Sequence, residues 1–255
     1  MGKDILEKKI EDLMKEWVKY CRSKWSDAVF VKDGPFPIYE QQKKKILFIG
    51  RELYGKINKG EEGSCIDYRD ERFGMNGLGV FQSRLLYLAY GILHGKYTLD
   101  DWLEMPEAKK LNQKFAEVAQ EIEGTISYAF MNASKILNTQ GTKVGEDFRC
   151  FINDKINRAF FIREIDLLAP DIIVSGNLNQ FSFFDNDEFK GIASHCEEGK
   201  YDNDNCYVWQ YKLQNGKVVP CLDAWHFSRI GADFEYFYEP ICQVAKNLID
   251  KTCGH

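Results

Sequence analysis

The sequence predicts an α/β domain whose central sheet is short and mostly parallel. Three continuous apolar runs indicate strands that are covered on both faces: residues 46–50 (ILFIG), 126–133 (ISYAFMNA) and 171–177 (DIIVSGN). Segments with apolar residues at helical spacing lie between these runs. An alternation of buried strands and helices is typical of a parallel sheet with helices on both faces.

An amphipathic helix is predicted near the N-terminus, over residues 3–22. Its apolar side chains at helical spacing are Ile5, Ile10, Leu13, Met14, Trp17 and Val18. Residues 23–44 contain the stretch DGPFPIY, whose glycine and prolines are typical of a connection. We therefore divide the chain into residues 1–44, an N-terminal helix and connection that pack on the body, and residues 45–255, the α/β domain.

A loop and several helices are predicted between the first two strands. Residues 55–79 are polar and rich in glycine, which indicates a long loop, and loops of that length are usually functional or mobile. A helix is predicted from about residue 80 to residue 93. Two further helical pieces are predicted over residues 99–122, with a break at Pro106.

Two helices and a hairpin are predicted in the C-terminal half of the chain. Residues 146–170 predict a single helix with an apolar side formed by Phe148, Ile152, Ile156, Ala159, Ile162 and Ile165. Residues 206–226 contain an Asn-Gly pair, which is the strongest short signal for a β-hairpin. A last helix is expected from about Pro240 to Asp250, because proline is favoured in the first turn of a helix.

The composition argues against several classes of protein. The 255 residues include 34 basic and 39 acidic side chains, and the net charge of −5 argues against nucleic-acid binding through bulk charge. The eight cysteines are scattered, and the cysteines and histidines match no zinc-finger spacing, so we expect free thiols, a cytoplasmic location and no bound metal. The charged first helix and the lack of long apolar runs predict neither a secretion signal nor a membrane span.

Polar residues that follow three of the predicted strands are candidates for a binding site. In open α/β sheets, ligands bind at the carboxyl ends of the strands. Glu52 follows the first strand and Asn132 lies near the end of the second. The second arm of the hairpin leads to His226, Ser228 and Arg229. A carboxylate, an amide and a His–Ser–Arg cluster are therefore expected to converge on one crevice.

A phosphate loop is one interpretation of the turn after the first strand. Residues 50–57 (GRELYGKI) match the pattern G-x-x-x-x-G-K, with Lys56 as the phosphate-binding lysine. Ile57 stands where that motif needs Ser or Thr to hold Mg²⁺. The phosphate loop is therefore the weaker interpretation, and it predicts Mg²⁺-dependent nucleotide binding.

The same turn resembles the first motif of uracil-DNA glycosylases, an apolar strand followed by Gly-Gln-Asp-Pro-Tyr-His. In ILFIGRELYG, Gly50 and Tyr54 match that motif, and Glu52 replaces its aspartate. Residues 76–81 (NGLGVF) are similar to the Gly-Leu-Ala-Phe segment of the family, with the aromatic Phe81 one position out of register.

Later segments extend the resemblance over residues 45–250. The segment FMNASKI resembles the strand of the family that ends in an asparagine, here Asn132. The segment HFSRIG is similar to the final His-Pro-Ser motif and carries His226 and Ser228, with Phe227 in place of proline. The motifs follow one another in the order of the family. The resemblance therefore implies a three-layer α/β/α sandwich with a short, mostly parallel central sheet.

The resemblance also implies a hydrolase of base-excision DNA repair that uses no cofactor and cleaves the N-glycosidic bond of uracil or another altered base in DNA. Glu52 would position water and stabilise the oxocarbenium-like sugar, and His226 would stabilise the departing base anion. The residues implied to bind DNA are Asn132, Tyr54 and Phe81 for the base and Ser228 and Arg229 for phosphate.

Other roles for the same residues stay open. Glu52 and Arg51 could form a solvated pair in a turn, and Asn132 could cap a following helix. His226 and Phe81 could belong to the core. The extra methylene of Glu52 relative to aspartate and the acidic net charge both suit a DNA-processing enzyme poorly. The sequence therefore also supports a non-catalytic protein that binds a nucleobase or nucleotide in the same pocket, and it leaves open whether the protein is an enzyme.

Overall fold

The computed structural model describes residues 3–55, 62–68, 80–95, 126–139, 144, 146–195, 206–227, 238, 241–245 and 248. Four of its helices are α1 (Lys3–Lys24), α2 (Val80–His94), α3 (Glu146–Ile152) and α4 (Lys155–Leu168). Its strands are β1 (Phe30–Lys32), β2 (Gly34–Pro35), β3 (Ile46–Gly50), β4 (Cys65–Asp67), β5 (Ala129–Asn132), β6 (Ile172–Gly176), β7 (Ala193–His195), β8 (Cys206–Lys212) and β9 (Val218–Ala224).

The larger sheet has seven strands in the order β2-β5-β3-β6-β9-β8-β7. Its four central strands, β5, β3, β6 and β9, pair in parallel. The flanking strands β2, β8 and β7 pair antiparallel with their neighbours, and β1 and β4 form a separate parallel pair. The prediction of an α/β fold is confirmed, and the larger sheet is mixed, with parallel strands at its centre and antiparallel strands at its flanks.

Two hydrophobic clusters cover the sheet because alternate strand residues point to opposite faces. Phe48 and the buried side of α2 belong to one cluster. Leu47 and Ile49 belong to the other, together with buried residues of α1, α3 and α4. The buried side of the N-terminal helix therefore packs against this face of the sheet, although Ile5 of its expected apolar side is 57% exposed. Among the described residues, none of the helices combines the length and apolar character that a membrane crossing requires.

The single helix predicted over residues 146–170 is instead two helices, α3 and α4. Asp154 caps the second helix, because its carboxylate accepts hydrogen bonds from the backbone N–H groups of Ile156 and Asn157, both at 3.0 Å. The new start shifts the helical phase, so Ile156 is 48% exposed and Ala159 is also exposed. Polar residues of α4, including Glu164, face inward in their place.

Very short strands lie in segments that were predicted as a connection and a loop. β1 and β2 fall within residues 23–44, and β4 falls within residues 55–79. Strands of two or three residues carry no readable alternation of side chains, so their position is set by pairing with partners far along the chain. The predicted hairpin is formed by β8 and β9, and its turn closes at Gly216, which has a φ of 86°.

The remaining predicted helices agree with the structure where it describes them. The helix predicted from residue 80 is α2, and residues 241–245 of the last predicted helix are helical. The two helical pieces predicted over residues 99–122 lie outside the described residues.

Candidate functional site

The carboxyl ends of β3 and β5 lie side by side, with Gly50 paired to Asn132. Beyond the strands the two chains stay together, because the N–H of Ser134 donates to the carbonyl of Arg51 at 2.8 Å. The N–H of Asn138 likewise donates to the carbonyl of Leu53 at 2.8 Å. The residues after β3 are therefore held in fixed positions beside the residues after β5.

The order of the central strands places a crevice at this edge. After β3 the chain passes through α2 to β5 on one side, whereas after β6 it continues to β9 on the other side. Where successive connections leave in opposite directions, a crevice opens at the carboxyl ends of the strands, and ligands bind there in open α/β sheets. The candidate site is therefore centred on the residues that follow β3, β5, β6 and β9.

Glu52 is partly buried at this edge and accepts a hydrogen bond from Nδ2 of Asn138 at its Oε1 atom, at 2.8 Å. Burial raises the pKa of Glu52, while the bond from Asn138 and the positive charge of Arg51 oppose that rise. Glu52 is thus held by a side chain of the neighbouring segment, which differs from a fully solvated pair with Arg51.

His226 follows β9 and is also partly buried. Burial, and to a smaller extent the positive charge of Arg51, together lower its pKa from 6.5 to about 4. The imidazole is therefore neutral at neutral pH, where one of its ring nitrogens can donate a hydrogen bond. Glu52 and His226 follow β3 and β9, which are separated by one strand in the sheet, and the charge of Arg51 affects the pKa of both.

Asn132 is buried, with 2% of its surface exposed. Its backbone N–H donates to Oδ2 of Asp33 at 2.6 Å, and its Nδ2 lies 3.4 Å from the same oxygen. The residues that follow it, 133–139, are not helical, so the alternative in which Asn132 caps a helix is wrong. A Cβ atom at Gly50 would lie 3.0 Å from Oδ1 of Asn132 and 2.8 Å from the ring of Phe130, so this close approach requires glycine.

The structure describes only some of the other predicted site residues. Tyr54 is 52% exposed, and its backbone forms a bridge with Asn138 beside the candidate site. Phe81 lies in the first turn of α2. Ser228 and Arg229, the predicted phosphate-binding residues, lie outside the described residues.

The described part of the turn after β3, residues 51–55, does not show the form of a phosphate loop. That motif needs a loop of backbone N–H groups directed at the phosphates. Here residues 51–55 run alongside residues 133–138, and the N–H of Gly55 donates to the carbonyl of Asn138 at 3.1 Å. Lys56 lies outside the described residues.

A buried ion cluster behind Asn132 was not found from the sequence. Nζ of Lys135 pairs with Asp33 and also contacts Oε2 of Glu164 at 2.8 Å, and all three side chains are fully buried. Burial by itself would lower the pKa of Lys135, but the attraction of the two carboxylates outweighs burial and raises it. The cluster joins the segment after β1, the segment after β5 and helix α4.

Asp223 on β9 is a second buried carboxylate that the sequence did not indicate. It accepts hydrogen bonds from Oγ of Ser175 at 2.5 Å and from the backbone N–H groups of Leu178 and Asn179 at 2.8 Å. Burial raises its pKa to about 6, against the effect of these hydrogen bonds. Asp223 therefore holds the turn after β6 at the centre of the edge.

No metal site is found in the described part of the chain, where no three His, Cys, Asp or Glu residues are grouped to hold an ion. Comparison with protein-family models, curated proteins and solved structures finds no match for this chain. The chemistry of the edge residues is therefore the basis on which a function can be proposed.

Proposed function

We propose that this protein is a hydrolase that cleaves the N-glycosidic bond of uracil, or of another altered base, in DNA. The observation that carries the proposal is that Glu52, Asn132 and His226 lie at one edge of the sheet, after β3, in β5 and after β9. In this reaction a carboxylate can accept the proton of water, an amide can bind the base edge, and a neutral imidazole can stabilise the departing base anion. Their order along the chain is that of the uracil-DNA glycosylases.

We infer a three-layer α/β/α sandwich of the uracil-DNA glycosylase type for the same reason. Helix α2 packs on one face of the sheet, and α1, α3 and α4 pack on the other. The four central parallel strands are four to seven residues long. This arrangement supports a three-layer fold with a short, mostly parallel central sheet.

In the proposed reaction, a water oxygen bonds to C1′ of the sugar as the bond from C1′ to the base nitrogen breaks. Glu52 accepts the proton of the attacking water and stabilises the positive charge that develops on the sugar. The electron pair of the broken bond moves to the base, where a neutral His226 donates a hydrogen bond to a carbonyl oxygen. The base then takes up a proton and leaves.

The test is excision from single- and double-stranded oligonucleotides that carry one uracil, followed by alkali and detection of strand cleavage. The parent chain is expected to cleave, and Glu52→Gln is expected to lose about 100-fold or more in rate, as for the loss of a general base. Glu7→Gln, which changes an exposed glutamate on α1, serves as the matched control and is expected to cleave like the parent. Equal cleavage by Glu52→Gln would contradict the role of Glu52.

A second candidate function is supported by the hydrogen bond between Asn138 and Glu52. This bond occupies part of the carboxylate, and burial disfavours the charged form that would accept a proton from water. In this alternative the protein binds a nucleobase or nucleotide without turnover. Calorimetry with uracil, uridine and uridine monophosphate tests it: binding by a chain that excises nothing supports this alternative, and the absence of binding to all three removes it.

A further inference from the structure

We infer that Asp33 is a positioning residue that fixes the side-chain amide of Asn132 in one of its two orientations and thereby determines which base edge the site accepts. The inference rests on the proposed function, because it takes Asn132 as the residue that binds the base. Asp33 lies between β1 and β2, outside every motif that resembles the glycosylases.

The geometry directs the amino end of the amide towards Asp33. Oδ2 of Asp33 accepts from the backbone N–H of Asn132 at 2.6 Å and lies 3.4 Å from its Nδ2. The Oδ1 atom is on the side of Gly50, where it lies 3.0 Å from the position that a Cβ would take. One carboxylate oxygen therefore holds both the backbone and the side chain of Asn132.

The opposite orientation of the amide is disfavoured. Rotation by half a turn would place Oδ1 of Asn132 against the carboxylate of Asp33, and two acceptors without a proton between them repel each other. Both residues are buried, at 1% and 2% exposure, so water does not screen that repulsion well. In the favoured orientation, Oδ1 and the second hydrogen of Nδ2 are the groups of the amide that Asp33 does not engage.

The orientation matters because two pyrimidines differ in the order of donor and acceptor along one edge. Uracil presents an N–H donor beside a carbonyl oxygen, whereas cytosine presents a ring-nitrogen acceptor beside an amino group. For a base held in one pose, an amide in one orientation pairs with the first edge and the rotated amide pairs with the second. By excluding the rotated amide, Asp33 excludes the wrong base.

Asp33 is itself held in place by the buried ion cluster. Its other oxygen, Oδ1, pairs with Nζ of Lys135, which also contacts Glu164 at 2.8 Å and lies 5.0 Å from the centre of the Trp17 ring. The backbone N–H of Val31 donates to the carbonyl of Lys135 at 2.7 Å and fixes the two segments together. If Asp33 turned away from Asn132, the buried charge of Lys135 would lose one of the two carboxylates that balance it, so this movement is disfavoured.

The test compares Asp33→Asn with Glu164→Gln. Both substitutions remove a carboxylate from the same ion cluster, but only the first touches Asn132. The affinities for the free bases uracil and cytosine are measured by NMR titration, together with the side-chain amide signal of Asn132, which is assigned by its loss in Asn132→Ala. Asp33→Asn is expected to lower the ratio of uracil to cytosine affinity about tenfold and to move the amide signal. Glu164→Gln is expected to leave both unchanged.

The outcomes separate this inference from the proposed function. If the parent chain binds uracil and Asp33→Asn keeps the same ratio and the same amide signal, the positioning role is overturned and the proposed function stands. If the parent chain neither binds nor excises uracil, the proposed function is overturned and this inference with it. If Asp33→Asn does not fold, as judged by circular dichroism, Asp33→Glu provides the same test, because it keeps the charge beside Lys135 and displaces the oxygens by one methylene.

Discussion

Two carboxylates at the same edge of the sheet, Asp223 and Glu52, differ in how fully they are hydrogen-bonded. Asp223 is 1% exposed and accepts from the hydroxyl of Ser175 and from two backbone N–H groups of the turn after β6. Glu52 is partly buried, and within the described residues Asn138 is the side chain that donates to it.

The difference indicates that the fold uses the oxygens of Asp223 more fully than those of Glu52. The oxygens of Asp223 are used by the protein itself, so they hold a turn and have little capacity left for a substrate. Glu52 keeps more acceptor capacity and lies nearer to solvent. A buried carboxylate at the carboxyl end of a strand is therefore insufficient as a sign of function, and the number of its protein donors is the better guide.

The largest expected effect is on the free energy of unfolding, which should fall far more when Asp223 is replaced than when Glu52 is replaced. Asp223→Asn places an amide where three donors converge, so we expect the free energy of unfolding to fall by about 3 kcal/mol. Glu52→Gln keeps an acceptor for Asn138, and we expect a loss of less than about 1 kcal/mol. Urea unfolding followed by circular dichroism measures both values. Similar losses for the two variants would show that the distinction between them is wrong.

Much of the fold could be predicted because the central strands are continuous apolar runs. β3, β5 and β6 are buried on both faces, so their sequences are distinctive without any knowledge of the partners. The break between α3 and α4 was missed, because Asp154 is one capping residue in an otherwise helical pattern. β1, β2 and β4 were missed because strands of two or three residues show no pattern of their own.

The candidate site was predictable only in part. Glu52, Asn132 and His226 could be selected because each lies at or after the end of a predicted strand. Asp33 could not, since its bond to Asn132 joins residues 99 positions apart in the chain and depends on how the segments pack. Glu164 was missed for a related reason, because the start of α4 at Asp154 sets which side of the helix faces inward.

A second prediction extends the comparison to His226, a third titratable group at this edge, whose neutral form is favoured by burial. Its pKa is lowered from 6.5 to about 4 on folding, so between these values the unfolded chain binds a proton that the folded chain does not. His226 therefore contributes a stability that is present above pH 6.5 and is lost as the pH falls towards 4. His226→Gln removes this contribution to the pH dependence.

The measurement is the free energy of unfolding of the parent and of His226→Gln at intervals from pH 7 to pH 4. Because His226 is partly exposed, the full effect of its pKa shift is reduced by solvent. We expect the free energy of unfolding of the parent to fall by about 2 kcal/mol more than that of the variant over this range. His195→Gln, which changes an exposed histidine on β7, provides the control and should follow the parent. Parallel curves for the parent and His226→Gln would mean that the imidazole is not desolvated at the edge.

The smallest expected effect concerns Asn138, whose side chain donates a hydrogen bond to the carboxylate of Glu52. The hydrogen bond from Asn138 lowers the pKa of Glu52, so Asn138→Ala should raise that pKa further. If ionised Glu52 accepts the proton of water, the acidic limb of the pH–rate profile for uracil excision moves to higher pH. At alkaline pH, where Glu52 is ionised in either case, the rate should change by about fivefold or less, which corresponds to the free energy of a single hydrogen bond.

The control is Asn153→Ala, at an exposed asparagine between α3 and α4, which should leave the whole pH–rate profile unchanged. A drop in rate at every pH, without movement of the acidic limb, would mean that Asn138 supports the segment after β3 and does not tune the carboxylate.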